Sequence, residues 1–485
     1  MAITSDTNRV AVGIIEEVTF GTTPATPAID GLRITGTPSL GYVPQTVTSD
    51  EIRADRQVTD LILVGAEAGG DVGMEVSFNA LDSVFEGAMG SDWVTKAYRE
   101  TVSEISAVNV GVDYTVTAVA GDNFAVGMLV LATGFVEAAN NATFRAETGT
   151  TSTSVQYASA AAETPGATAK LRGIGMEGIA GDLTTTAGGT NSIDSTALVF
   201  TDMNMAIGEW LKVGGNVTGE QSETAENNDW VRISAISGTS LTLDRVPVGW
   251  ASDTNAAKTL QLFMGESLVN GTVSKSYSIE RQFQDHSPVT YELFTGMRVG
   301  TLTVEFEAQA IMTSTVNFMG LDSTMSTTRF SGATDVAAPT NEVLNTSSDV
   351  GRIGEAGAAV GDPNYVIDGS IQVDNNLRRQ NAVGSLGSVG IGQGEFNVTG
   401  SLNTYFGSSA LAAKVISNAA SSFDLRVSDD ANQALVIDLP SLKFSAGSPN
   451  VPGKNDDVVV PLEFQAYRDA TLGYTMLLQR FYATA

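Results

Sequence analysis

The chain has no cysteine and a single histidine among its 485 residues. Disulfides, thiolate metal sites and cysteine nucleophiles are therefore excluded. A Ser–His–acid triad would have to use His286, in the stretch RQFQDHSPVT, and no G-x-S-x-G elbow leads into a helix. One imidazole also offers too few ligands for a histidine-based metal centre. Basic residues are scarce: 26 Lys and Arg stand against 55 Asp and Glu, a net charge of −29. Such a surface repels phosphate, so tight nucleic-acid binding is not expected, whereas a channel that DNA must pass without sticking would want the same sign. No apolar run approaches the roughly 20 residues of a membrane span. The start, MAITSDTNRV, has neither the basic nor the apolar region of a signal peptide. The chain is thus expected to stay in the cytoplasm or to enter a particle assembled there.

What the chain does have is glycine, 50 residues of it, with recurrent Thr, Ser, Val and Ala. Turn formers mixed with β-branched residues predict an all-β protein. Stretches such as VGTLTVEF (299–306), EFNVTGSL (395–402) and VVVPLEF (458–464) read as strands set off by Gly, Asp or Pro. Helical spacing is rare. NALDSVFEGAM (79–89) places Leu81, Val84, Phe85 and Met89 on one face, and SALAAKVI (409–416) does the same with Leu411, Ala412, Val415 and Ile416.

Motifs that would carry chemistry fail on inspection. GSVGIGQG (387–394) lacks the Lys-Ser/Thr ending of a phosphate loop and precedes a strand, so it reads as a hairpin tip. The acid pairs Asp429–Asp430 and Asp456–Asp457 stand in no twelve-residue calcium loop and read as solvated turns. Arg53, Arg56, Arg378 and Arg379 read as ion-pair partners in an acidic protein rather than as a nucleic-acid patch. No cofactor and no catalytic or metal site is expected.

The informative feature is repetition. Residues 39–78 and 369–406 each hold a strand, a polar stretch containing arginine, a glycine-rich stretch and an alternating strand that leads into one of the two helices. The likeness continues beyond them: SYSI (276–279) with SFDL (422–425), GMRVGTLTVEF (296–306) with LPSLKF (439–444), and STVNFM (314–319) with VVVPLEFQ (458–465). Two copies of one unit are expected.

The first copy is interrupted by about 160 residues that carry a repeat of their own. FAVGMLVL (124–131) matches MAIGEWLKV (205–213), TGTTSTSV (148–155) matches ISGTSLTL (236–243), and ATAKL (167–171) matches AAKTL (256–260). The resulting organisation is an N-terminal arm (1–34) and a first unit (35–100 and 263–320) split by an insert of two β modules (101–175 and 176–262). A linker (321–364), a second unit (365–466) and a C-terminal arm expected to pack on a neighbour (467–485) follow. Long insertions survive at surface loops because closure entropy grows slowly with length.

The stretches GTTPATPA (21–28), LRITGTPSL (32–40), SDEIRADRQVTDLILVGAEAGGDV (49–72), FTGMRVGTLTVEF (294–306) with NFMG (317–320), GQGEFNVTGSLNTYF (392–406) and VPGKNDDVVVPLEFQAYRDATLG (451–473) resemble, in order, a phage tail tube protein family of long-tailed phages. The resemblance covers most of the chain outside the insert and says nothing of the insert. It implies β-sandwich units whose long hairpins join side by side into a ring-shaped β-barrel, and the helical spacing above adds one short helix to each unit. It also implies a structural virion protein, assembled in the host cytoplasm, whose stacked rings form the hollow tail tube for genome ejection. The partners it implies are further copies of the chain, a tape-measure protein, and tail completion, terminator and baseplate proteins, with DNA only in transit and no membrane insertion. If each chain supplies two units, a trimeric ring with pseudo-sixfold symmetry is expected, with a homohexamer as the alternative. Candidate acids facing an acidic lumen are Asp50, Glu51, Asp55, Asp60, Glu67, Asp374 and Glu395. The competing reading is a secreted or surface β-repeat adhesin that binds carbohydrate.

Overall fold

The computed structural model describes residues 5–36 and 38–484, so the first four residues, Thr37 and Ala485 fall outside it. Strands dominate, as the β-branched and glycine-rich composition demands. The first unit contains β1 (Val10–Glu16), β2 (Gly41–Thr48), β3 (Leu61–Glu75), the helix Asp82–Met89 and, beyond the insert, β4 (Tyr277–Phe283), β5 (Thr290–Glu307) and β6 (Thr313–Gly320). The second contains β7 (Val350–Glu355), β8 (Val366–Asp374), β9 (Asn397–Tyr405), the helix Ala410–Ser417, β10 (Ala420–Ser428), β11 (Ala434–Gly447) and β12 (Val459–Ala466).

The two units repeat each other pairing for pairing, always antiparallel. β1 lies on β4 as β7 lies on β10. β4 lies on β5 as β10 lies on β11. β5–β6–β3–β2 is matched by β11–β12–β9–β8. Even the irregularities recur. The register slips between Val299 and Thr301 in β5 and between Phe444 and Ala446 in β11. It slips again between Tyr277 and Ile279 in β4 and between Ser421 and Phe423 in β10. Each helix packs on the long strand of its own unit and ends on a left-handed residue, Gly90 or Asn418, of the kind such a terminus favours.

The repeat is wider than the sequence shows. β1 lies in what reads as an N-terminal arm and β7 in what reads as a linker, yet they hold the same place in the two sandwiches, beside β4 and β10 respectively. The helix faces also differ: Leu411 and Ala412 are buried, but Ile416 is 89% exposed.

The units are joined edge to edge. Thr301–Glu307 of β5 pairs with Asp368–Asp374 of β8, giving one sheet in the order β2–β3–β6–β5–β8–β9–β12–β11. Its inner side chains, among them Val72, Leu302, Ile371 and Phe464, share one apolar core with Ile14, Phe294, Phe423 and Ile437 of the second layer.

Between Tyr98 and Met264 the chain builds a separate ten-stranded sheet and a small three-stranded one. Its two halves repeat each other: Met128–Thr133 pairs with Thr143–Arg145 and Lys170–Glu177, as Trp210–Val213 pairs with Trp230–Ile236 and Gln261–Met264. Phe124 and Leu211 belong to one apolar cluster that runs through both halves, so the modules do not have separate cores. Ile207 is half exposed, and Trp210 leaves that cluster to pack with Val436, Leu477 and Phe481.

The C-terminal segment does not await a neighbour. Strand β13 (Leu477–Phe481) pairs with Glu266–Val269 on one side and with β11 on the other. Its Leu477, Leu478 and Phe481 are buried within the same chain, because three apolar side chains in five residues find their partners at the foot of the insert and on the second unit.

Candidate assembly surface

Period-two alternation gives the joined sheet a second, polar face. Around Leu302, Val304 and Phe306 in the core stand Thr301, Thr303, Glu305 and Glu307 on the other side, and around Leu462 and Phe464 stand Glu463 and Gln465. Neighbouring strands tie this face together by hydrogen bonds. Asn317 Nδ2 donates to Asp71 Oδ1 at 2.7 Å, Gln372 Nε2 to Thr303 Oγ1 at 3.2 Å, and Gln465 Nε2 to Asn397 Oδ1 at 3.0 Å. The face crosses both units without interruption because the β5–β8 joint keeps the alternation in phase.

Of the seven acids expected to face a lumen, Glu67 of β3 and Asp374 of β8 lie on this face. Asp50, Glu51, Asp55 and Asp60 lie at the exposed tip of the β2–β3 hairpin, where Arg53 pairs with Asp55 at 3.0 Å. Glu395 lies exposed just before β9. The face also carries Asp71, Glu305, Glu307 and Glu463, which the sequence reading missed. The signal was present: each alternates with a buried aliphatic or aromatic neighbour in a stretch already read as strand.

The two hairpins, equivalent in sequence, are treated differently by the fold. That of the second unit bends over the first unit. Its tip strands Arg378–Gln380 and Gly390–Gly392 pair with each other. Arg379 donates to the carbonyls of Ala68 (2.8 Å) and Gly320 (2.7 Å) and faces Glu67 at 3.4 Å. Arg298 donates to the carbonyl of Ile391. Burial pulls the pKa of Arg298 and Arg379 downward against the pull of Glu17 and Glu67 respectively, as expected for covered guanidinium groups. The β2–β3 hairpin of the first unit has no such bed: all of Tyr42–Thr48 and Leu61–Val64 are exposed, including Val43, Val47, Leu61, Ile62 and Leu63. A row of exposed apolar strand residues on a free edge is a pairing surface.

His286 sits in the β4–β5 turn, its ring nitrogens 2.7 Å from Ser5 Oγ and 2.8 Å from Thr290 Oγ1. Those two hydroxyls hold the imidazole in this turn, at the opposite end of β5 from the polar-face residues Thr301–Glu307.

The insert is bound to the sandwich by ions. Lys96 Nζ lies 2.8 Å from Glu209 Oε1, both fully buried, and Ser267 Oγ donates to the same oxygen at 2.7 Å. Arg232 bridges Asp244 (2.6 Å) and Asp438 (2.9 Å). Burial pushes the Asp438 carboxyl up and Arg232 holds it down. Arg426, stacked on Trp210, has its pKa lowered by burial to about 10, with Asp424 opposing.

A family model described as "Phage tail tube protein" matches residues 7–211 and 215–466 of this chain. No curated protein matches it.

Proposed function

Because the chain belongs to the phage tail tube protein family, we propose that it is the repeating subunit of a tail tube, three chains closing a ring of six units and the rings stacking into a conduit for the genome. The observation that carries this is the β5–β8 joint, which already sets two equivalent units side by side in one continuous sheet. Repeating that step around an axis closes the sheet and abolishes its edges. Each chain brings eight strands to the sheet. At a spacing of about 4.8 Å and a tilt of about 40°, three chains make a barrel about 48 Å across between backbones.

In this reading the polar face lines the channel. Glu67 and Asp374 face the lumen with Asp71, Glu305 and Glu463, and Asp50, Glu51, Asp55, Asp60 and Glu395 extend the same sign towards its rim. DNA then passes a like-charged wall that offers few sticking contacts. The layer containing β1, β4, β7 and β10 faces outward, and the insert projects from the outside. A tape-measure protein would fill the channel before ejection, and completion, terminator and baseplate proteins would close the ends, in a tail assembled in the host cytoplasm. Native mass measurement of isolated rings, with electron micrographs of the tubes, tests the stoichiometry. Three chains per ring are expected, and six would overturn the reading of two tube units per chain.

A further inference from the structure

The internal repeat allows every residue at the joint within the chain to be matched with its counterpart at the free ends of the sheet. The pairing of β3 with β6 and of β9 with β12 aligns Ala68 with Val398 and Gly320 with Ala466. The pairing of β2 with β3 and of β8 with β9 then aligns Val43 with Asp374, Tyr42 with Val373 and Gly41 with Gln372. Through the shared bulge, Thr301 corresponds to Ala446 and Leu302 to Gly447. The bridge of Asn450 to Val459 continues this register, as the counterpart of Glu305 with Thr313.

Counterparts at the joint and at the free ends differ sharply in exposure. Val373 is 1% exposed and its counterpart Tyr42 39%; Phe306 is 4% exposed and its counterpart Val451 72%. Ile391, at the tip of the second hairpin, is 3% exposed, whereas Leu61 at the same place in the first is 61% exposed. Arg298 is covered by the Ile391 carbonyl, while its counterpart Lys443 lies on a strand with no hairpin over it.

We infer that the free edge formed by Pro38–Val43, the start of β2 and the residues before it, pairs on the next chain with the segment Ala446–Val451 that continues β11, in the register of the β5–β8 joint, with the β2–β3 hairpin lying over the neighbour's Lys443. This rests on the ring reading above and specifies its interface: Val43 stands opposite Ala446, Tyr42 opposite Gly447, and the Leu61 carbonyl meets Lys443. The occupant is a second copy of this chain, because the bed it needs is the one the second hairpin already has on the first unit. Pro44 and Pro449 stand on the two edges. Prolines there withhold donors from chance partners and blunt the edges before assembly.

The absence of native cysteine makes the test clean. Opposed residues of an antiparallel pair lie within disulfide reach. Val43→Cys with Ala446→Cys in one chain should, on mild oxidation of assembled tubes, give covalent dimers and trimers in reducing-agent-sensitive bands, and neither single variant should. Thr301→Cys with Asp374→Cys, the same pair inside the chain, serves as the positive control and should cross-link without changing the chain number. Tubes that form normally but give no inter-chain product while the control closes would overturn this register and leave the ring reading intact. A wild-type protein that forms neither rings nor tubes would overturn the ring reading itself.

Discussion

Gly70 and Gly400 hold the same position in the two halves of the chain, and at each an added Cβ would overlap a serine carbonyl, that of Ser39 and that of Ser370. The two serines are themselves counterparts on β8 and on the segment before β2. Both halves therefore keep glycine where two strands of the inner sheet approach too closely for any side chain.

Gly400→Ala should consequently destabilise the chain by about 1–3 kcal/mol through overpacking. Its Cβ would also meet the ring of Phe464. Gly70→Ala should cost at least as much, because φ at Gly70 is +139°, a conformation that alanine adopts only under strain. Denaturant midpoints of the two variants check this. A loss confined to one of them would mean that the close approach is not a shared requirement of the repeat.

Much of this was legible from the sequence, and the part that was not has a physical cause. Strand alternation and the Gly-rich hairpins located β3, β5, β9 and β12, and the likeness of residues 39–78 to 369–406 located the repeat close to its structural register. The place of β1 and β7 was hidden, because each is a short strand outside the repeated hairpin motif, and its pairing with β4 or β10 is settled by partners far along the chain. Ile416 misled because helical spacing marks a face without saying whether anything covers it. The C-terminal strand misled because burial of Leu477 and Phe481 is settled by tertiary partners more than 30 residues away, among them Glu266–Val269. The acids on the polar face were obscured by charge alone: those at the hairpin tip stand out in the sequence, whereas Asp71, Glu305 and Glu463 become visible only once strand phase is known.

Reversal of the polar face gives a direct reading of its role. Asp71→Lys, Glu305→Lys and Glu463→Lys together shift the charge by six units per chain at exposed positions, at the cost of the hydrogen bond from Asn317 to Asp71. Tubes should still form. DNA should now be retained by them at low salt and released as salt rises, with a steep log–log slope that the wild type lacks. Equal, salt-independent passage through both tubes would remove the polar face from the channel wall.

Acid sensitivity should be concentrated where carboxylates are held low. Burial would raise the Asp182 carboxyl, but hydrogen bonds from Ser195, Thr196 and the Ala197 amide outweigh it and hold the pKa below its ordinary value. A depressed folded pKa contributes stability above the unfolded pKa, and that stability is lost as pH falls through the folded value. Asp182→Asn should therefore lower the melting temperature of the insert at neutral pH, by the loss of charge-assisted bonds costing about 2 kcal/mol. The gap between variant and wild type should narrow below about pH 4, where the carboxyl of the unfolded chain takes up a proton first and that of the folded chain follows at lower pH. A gap that stays constant from pH 7 to pH 3 would contradict the assignment.

The insert offers a sharper contrast between losing one ion and losing a whole layer. With the insert in place, Lys96→Met strands Glu209 in a dry site with only Ser267 and backbone groups for company, and removing one member of a buried pair costs about 3–5 kcal/mol. Lys96→Met with Glu209→Gln should recover most of that loss, because no unpaired charge remains. Replacing residues 101–262 by a short Gly–Ser linker is different in kind. It removes Glu209 and Arg232, but it also opens Lys96 and Asp438 to water, so neither charge remains stranded. What it exposes is apolar: Val436, Leu477 and Phe481 lose the cover of Trp210. The shortened chain should thus stay folded, associate non-specifically, and regain normal behaviour when Leu477 is made Thr. Since the sheet carrying the polar face lies wholly outside residues 101–262, this repaired chain should still form tubes under the electron microscope. A folded, dispersed protein without tubes would place the insert in the assembly interface.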